Sequence, residues 1–313
     1  MNPAGSDGAA GMDATGGLEG RVIAVTGAGG GLGRAYALLL GRLGAKVLVN
    51  NRRREEAPSS ADAVVDEIRA AGGDAEANHA DIATEAGAQS LAATALDRWG
   101  RIDGLICNAG FTRDKTFVKM ALDDFLAVLG VHLLGTVYCA RAVLPGMLER
   151  RFGRIVCCIS AAGLHGNFGQ TNYAAAKAGV IGFMRSLDLE VARRGVRVNA
   201  LAPFGATRMT RGGSMDRDPS PRYAPDRAAP AAAFLASPAC TFGGEILTAA
   251  GGYFGAAAMV EGTGIRLPAI EAAPTLQQVA AQIEAIRALD APRRFSDALQ
   301  SAEHVLRGGA AAN

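Results

Sequence analysis

Short β-branched and apolar runs recur between Leu18 and Gly255, each followed by a longer stretch in which apolar residues return every three or four positions. The runs are Val22 to Thr26, Val47 to Asn50, Ala75 to Ala80, Leu105 to Asn108, Ile155 to Ile159, Val196 to Ala202 and Ile246 to Ala250. They read as strands covered on both faces, which are apolar along their length rather than alternating. Seven such strands separated by helices predict an α/β fold with a doubly wound, mostly parallel sheet and helices on both faces.

The pattern fails at both ends. Residues 1–17 are mostly Gly, Ala, Ser and Asp, with too little apolar area to offset the entropy of ordering, and are expected to form a disordered tail. Residues 18–255 then make one catalytic domain. In the remaining stretch, 256–313, Pro274-Thr275 with Gln278 reads as a capping box, and Leu276, Val279, Ile283 and Ile286 share one helical face. Phe295, Leu299, Ala302 and Leu306 suggest a second short helix. Helices this short are marginal alone, so the extension is expected to pack on the domain or on a partner subunit.

Composition narrows the partners. The 313 residues are 49% hydrophobic with a net charge of +2, enough for a large core and without bulk bias toward nucleic acid or an anionic membrane. A small molecule is the expected partner. The five cysteines, Cys107, Cys139, Cys157, Cys158 and Cys240, show no metal-like spacing and read as reduced, buried thiols, with no metal site. No basic leader followed by an apolar stretch and no run of about 18 apolar residues is visible, so a soluble, cytoplasmic protein is expected.

The candidate chemistry begins at Thr26-Gly27-Ala28-Gly29-Gly30-Gly31-Leu32-Gly33, which closes the first strand and opens an amphipathic helix carrying Ala35, Leu38, Leu39 and Leu43. That is the phosphate-binding start of a Rossmann dinucleotide fold. Gly27 permits the tight turn, Gly31 lets backbone approach a pyrophosphate, and Gly33 lets helix and strand pack closely, with Leu32 as a further cofactor contact. The second strand ends Asn50-Asn51-Arg52-Arg53-Arg54, with no carboxylate to receive ribose hydroxyls. A guanidinium there can grip a 2′-phosphate, so Asn51 and Arg52 point to NADP rather than NAD. The competing reading is a solvated basic turn. Asp81 and Ile82 follow the third strand, with Asp81 placed to hold the adenine amino group; Asn108, Ala109 and Gly110 end the fourth, and Pro203 ends the sixth. Strand C-termini form the ligand edge of such a sheet.

Ser160 ends the fifth strand, and Tyr173 and Lys177 lie four apart near the start of a long helix from Asn172 to about Arg194. Side chains at that spacing share a helix face. A nearby ammonium favours phenolate and is expected to lower the tyrosine pKa toward working pH, making it a usable acid or base. Ser160 can polarise the same carbonyl oxygen. The set points to hydride transfer between a nicotinamide and a secondary alcohol or ketone.

In order and spacing, Thr-Gly-x-x-x-Gly-x-Gly, Asn-Ala-Gly, Ser160 and Tyr-x-x-x-Lys resemble the classical short-chain dehydrogenase/reductase family over about residues 18–255. The resemblance implies that Tyr173 is the general acid/base, that Lys177 also holds the nicotinamide ribose, and that Ser160 orients substrate. It further implies a homodimer or homotetramer using the helices around Ala121 to Arg150 and Asn172 to Arg194. Gly33-Arg34-Ala35-Tyr36-Ala37, Val131-His132-Leu133, Gly166-Asn167-Phe168-Gly169-Gln170 and Arg208-Met209-Thr210 are similar to the (3R)-hydroxyacyl-CoA dehydrogenases of that family. Those imply a 3-oxoacyl or 3-hydroxyacyl thioester as the first substrate class to consider, then steroid or polyketide-like ketones.

The departures are specific. Most members carry Asn where His132 stands, and that Asn anchors a water of the proton relay. His132 either takes over the relay through a ring nitrogen or is a packed histidine. The similar dehydrogenases have Asp at the position of Asn51 and are expected to use NAD. Phe204 replaces part of a common Pro-Gly pair and either narrows the nicotinamide wall or fills a gap. A lid is expected over Ala206 to Pro225, where Arg208, Arg211, Arg217 and Arg222 either attract an anionic group or serve solubility. The alternative to an enzyme is a cofactor-binding protein without turnover, a sensor or assembly partner; the intact Ser160, Tyr173 and Lys177 speak against it.

Overall fold

The structure, a computed structural model, describes residues 15–53, 58–207, 209, 221–267 and 273–306. Residues 1–14 of the expected tail lie outside the described residues, as does most of the expected lid, including Arg208, Arg211 and Arg217. Within the expected tail, Thr15–Gly17 form a turn, and the following Leu18 is buried.

Eight strands form one sheet: β1 (Val22–Thr26), β2 (Lys46–Asn50), β3 (Asp74–Asn78), β4 (Gly104–Cys107), β5 (Gly153–Cys158), β6 (Val196–Pro203), β7 (Ile246–Ala250) and β8 (Tyr253–Ala257). Their spatial order is β3-β2-β1-β4-β5-β6-β7-β8, and the first seven pair in parallel. β8 is the strand the apolar pattern does not predict. It follows β7 after only Gly251-Gly252, whose φ values of 57° and 88° let the chain fold straight back.

β1 shows why the runs become central strands. All five of its residues are buried, so both faces are covered and no polar alternation is needed. β3 lies at the sheet edge and is only partly buried, which accounts for its polar Asp74 and Glu76, while Asn78 is buried and hydrogen-bonded to Asn50 and Thr94. On one side α1 (Gly31–Arg42) packs on α2 (Ser60–Ala70) and α8 (Ala229–Leu235); α3 (Glu85–Trp99) packs on α5 (Gly135–Glu149), and α4 (Leu122–Leu129) packs on α7 (Thr171–Val191). The face α1 buries differs from expectation. Gly33, Tyr36, Ala37 and Leu40 are buried, whereas Ala35, Leu38, Leu39 and Leu43 are half-buried. Small Gly33 and Ala37 let the helix axis approach the sheet closely.

α4, a five-residue π-helical segment (Gly130–Leu134) and α5 run on as one 28-residue helix, Leu122–Glu149, long and apolar enough to cross a membrane by length and composition. This departs from the expected lack of such a run. Here its α5 part packs along α3 and its α4 part along α7.

The chain divides into two compact units, residues 1–256 and 257–313. The second contains α9 (Leu276–Ala281), α10 (Ile283–Arg287) and α11 (Ala298–Leu306). Thr275 and Gln278 form the expected capping box. A backbone bridge joins Glu261 and Arg293, and buried His304 lies against Arg293 and Phe295.

Candidate active site

The order reversal at β1, which sits between β2 and β4, opens a crevice at the C-terminal ends of these strands. Thr26 fixes its floor. Its hydroxyl accepts hydrogen bonds from the backbone N–H of Asn108 and of Ala109, both at 3.0 Å, and Asn108 Nδ2 donates to the carbonyls of Thr26 and Gly27. Gly27 has φ of 64°, and a Cβ there would lie 2.6 Å from Ala109 Cα. A Cβ on Gly33 would lie 2.4 Å from the Gly27 carbonyl oxygen, so the closeness of α1 depends on that glycine. Gly30 caps α1 with no side-chain hydrogen bond, and no acidic residue occupies the first turn. The helix amides and the positive end of its dipole therefore remain for an anion such as a pyrophosphate. Leu32 lies close to Gly205, where a Cβ would approach it to 3.2 Å.

At the tips of β2 and β3, buried Asn50 donates to Asn78 Oδ1 and to the Ala80 carbonyl, and Asn51 Nδ2 donates to Ser60 Oγ beside Gly29. Arg52 and Asp81, assigned separate parts from sequence, form an ion pair at 2.8 Å. Burial works to raise the Asp81 pKa, but the Arg52 hydrogen bond and charge and the Ala83 N–H outweigh it and hold the carboxyl below its ordinary range. Ile82 packs its side chain against Gly135 with 6% of its surface exposed. Pro203 ends β6, and the adjoining Phe204 stacks edge-on against Tyr223 at 6.1 Å, which favours gap-filling for that ring.

The hydroxyl, phenol and ammonium converge at the ends of β5 and α7. Ser160 accepts the Ala162 N–H to cap α6 (Ala161–His165), and its side chain is in hydrogen-bond contact with the Tyr173 phenol. Lys177 is buried and its Nζ donates to the Cys158 carbonyl at 2.5 Å, while lying 5.7 Å from the centre of the Tyr173 ring. Gly163 gives α6 room beside Lys177, since a Cβ there would come 2.6 Å from Lys177 Cβ.

These contacts correct one expectation. The Tyr173 pKa is raised, first by burial and then by the nearby Cys158 and Asp114, with only the Ser160 hydrogen bond acting to lower it. Lys177, whose ammonium bonds the Cys158 carbonyl, is not among the groups that lower it. Burial also brings the Lys177 pKa down to about 8. The four-residue spacing places the two side chains together but does not fix how strongly burial acts on the phenol.

His132 lies in the π-helical segment and is 2% exposed. Its Nε2 is 2.7 Å from the Phe111 carbonyl oxygen, its ring stands edge-on to Tyr173 at 5.0 Å, and its Nδ1 is buried without a partner. Burial and the charge of Lys177 lower its pKa to about 3 against the Phe111 hydrogen bond. The ring is therefore neutral over ordinary pH, with Nε2 set against both the carbonyl oxygen and the N–H of Phe111, at 2.7 and 3.1 Å. Gly110 makes the space for it: a Cβ there would be 2.0 Å from His132 Cε1.

The profile of the short chain dehydrogenase family matches residues 21–217. The chain belongs to this family. It is an oxidoreductase. A short-chain type dehydrogenase/reductase of Mycobacterium tuberculosis is 43% identical over 271 residues, 85% of this chain and 93% of that protein. Peroxisomal multifunctional enzyme type 2 of Drosophila melanogaster is 40% identical over 267 residues, covering 83% of this chain but 44% of the longer relative. A 3-oxoacyl-[acyl-carrier-protein] reductase of Synechocystis is 48% identical over 194 residues, 62% of this chain and 77% of that protein. Among solved structures, a short chain dehydrogenase from Mycobacterium avium superposes with a TM-score of 0.77 at 34% identity, covering 87% of this chain and 98% of the other.

Around the site of this short-chain dehydrogenase lie residues that sequence reasoning did not single out. Asn172, fully buried, donates from Nδ2 to the Arg113 carbonyl and accepts the Tyr173 N–H. Gln170 Nε2 donates to Asp114 Oδ2 at 2.8 Å while its Oε1 accepts from Asn167, and the Lys115 N–H donates to the Gly169 carbonyl. The loop after β4 is thereby tied to the start of α7. The Gly166 to Gln170 stretch was noted only as a likeness, and its partners lie more than fifty positions away, beyond any local pattern.

Proposed function

We propose that this short-chain dehydrogenase transfers a hydride between NADP(H) and a secondary alcohol or ketone, with a 3-hydroxyacyl or 3-oxoacyl thioester as the substrate class. The observation that carries the reading is the contact of Ser160 with the Tyr173 phenol, beside buried Lys177, at the strand ends that also carry the glycine turn. The thioester is supported by the names of the multifunctional and carrier-protein reductase relatives.

The crevice fits a dinucleotide, because the glycines leave room a Cβ would fill and the α1 amides are not capped by a side chain. In this reading Gly27, Gly31, Leu32 and Gly33 hold the pyrophosphate. Asn51, Arg52 and Asp81 hold the adenosine end, Ile82, Asn108, Ala109, Gly110 and Pro203 line the crevice, and Lys177 holds the nicotinamide ribose. Bound there, the nicotinamide supplies or accepts the hydride. Ser160 holds the carbonyl oxygen, and Tyr173 gives that oxygen its proton in reduction or takes it back in oxidation. A phenol with a raised pKa stays protonated and is suited to act as the acid in reduction.

Incubating the protein with NADPH and a panel of 3-oxo esters and thioesters, while following cofactor absorbance, tests the activity. Steady oxidation of NADPH is expected; cofactor binding without turnover of any ketone would favour the sensor. For cofactor choice, Arg52→Asp is expected to lower the NADPH-to-NADH ratio of kcat/KM by about tenfold or more, since a carboxylate repels the 2′-phosphate and receives ribose hydroxyls instead. An unchanged ratio overturns the NADP assignment.

His132 enters as a neutral ring that supports Phe111 and offers Nδ1 to the relay. His132→Ala is expected to lower turnover, and its effect on stability has a defined sign. An unfolded histidine takes up a proton near pH 6.5 but the buried ring only near about 3, so stability is full above 6.5 and is lost as pH falls between those values. Denaturant titrations should show a shallower acid-side loss in His132→Ala. Full turnover with an unaltered pH profile would remove His132 from the reaction. The same proposal includes a homo-oligomer, supported by exposed Leu122 and Leu126 on α4.

A further inference from the structure

The Asp114–Gln170 contact has no part in the chemistry above, yet it ties a carboxylate to the start of the helix that carries the reacting phenol. Gln170 immediately precedes α7, three residues before Tyr173, and its side-chain amide is held from both ends, by Asn167 and by Asp114. The adjacent backbone is fixed too. Asn172 holds the Arg113 carbonyl and Gly169 receives the Lys115 N–H, so Asp114 is pinned on its chain neighbours as well as on its own side chain. Among nearby charges, Arg113 is paired with Asp124 at 3.3 Å, Lys115 is exposed, and Lys177 is buried 5.7 Å from the centre of the tyrosine ring. The position of this carboxylate bears on which carbonyl compounds reach Tyr173.

We propose that Asp114 is a specificity-determining residue: held by Gln170 at the substrate side of Tyr173, its negative charge disfavours 3-oxo substrates that carry a free carboxylate and admits neutral esters and thioesters. The inference rests on the proposed carbonyl reduction and deepens it, naming the charge state of the group next to the reacting carbonyl. Charge repulsion at a partly solvated site is modest and sensitive to salt, so selection of this kind gives a graded preference. Asp114 also acts, after burial and Cys158, to raise the Tyr173 pKa.

The test compares acetoacetate with its ethyl ester, which present the same ketone with and without a charge. The ratio of kcat/KM for ester over acid is measured with NADPH for the unmodified protein and for Asp114→Asn. The asparagine keeps the shape, so any change isolates the charge, and Arg113 and Lys115 remain in place. Asp114→Asn is expected to reduce the ratio by about five- to tenfold, chiefly through better use of the acid, and raising the salt concentration should shrink the ratio only in the unmodified protein. The pH profile supplies a second readout: without the neighbouring negative charge, the limb at which Tyr173 loses its proton should move to lower pH. An ester-to-acid ratio that does not change in Asp114→Asn overturns the proposal while turnover of the ester leaves the carbonyl-reductase reading standing. Failure to reduce either compound, or any other ketone, overturns both.

Discussion

Tyr173→Phe is expected to lower turnover by about 10²- to 10⁴-fold, the usual contribution of a positioned proton donor. Only the phenol oxygen is removed. The ring keeps its edge-on contact with His132, and Tyr173 uses its backbone N–H, not its hydroxyl, to bind Asn172. The thermal midpoint and NADPH affinity should therefore change little, while Ser160 loses its phenol partner. Initial rates with a reducible 3-oxo ester, read alongside cofactor titration and thermal melting, separate these effects. A fall in rate that merely tracks a fall in cofactor affinity would mean that the phenol holds the cofactor rather than moves the proton.

A second large effect belongs to Gly33. Gly33→Val places a branched side chain where even a Cβ would lie 2.4 Å from the Gly27 carbonyl and 2.5 Å from Asn108 Nδ2. Neither neighbour can yield cheaply, since one is backbone and the other is bonded to two carbonyls. Pushing α1 away from the turn should cost about 1–3 kcal/mol of stability, the range for overpacking a close-packed site, and weaken NADPH binding by about tenfold or more, which corresponds to about 1.4 kcal/mol. Gly182 supplies the contrast. It lies within α7 with nothing inside 4 Å of an added Cβ, so Gly182→Ala should leave binding alone and stabilise the helix by about 0.5–1 kcal/mol. Chemical denaturation and cofactor titration of the pair check both statements.

What could be read from the chain follows the range of the forces involved. The glycine turn was legible because each glycine answers a local need, and the strands because a run buried on both faces has to be apolar. β8 escaped the apolar reading, although Gly251-Gly252 is a hairpin signal in its own right. The face of α1 was misjudged because the periodic leucines are more conspicuous than Gly33 and Ala37, whose small size is what brings the helix onto the sheet. At the site, the spacing of Tyr173 and Lys177 correctly puts the two on one helix, but the direction of the tyrosine shift depends first on burial, which only the packing of α7 against α6 and β6 reveals. Arg52 and Asp81 likewise look independent in sequence and meet only because β2 and β3 are neighbours. The Asp114–Gln170 contact is further still from a local pattern.

The central claim is that a hydride passes directly between a nicotinamide and a carbonyl carbon at Tyr173. It is tested most directly by supplying NADPH deuterated at the transferable position together with ethyl acetoacetate and analysing the alcohol by mass spectrometry. The account predicts an alcohol carrying one deuterium on the carbinol carbon, formed in step with oxidised cofactor and almost eliminated in Tyr173→Phe. Alcohol formed without the label, or label transfer as fast in the phenylalanine variant, would contradict it.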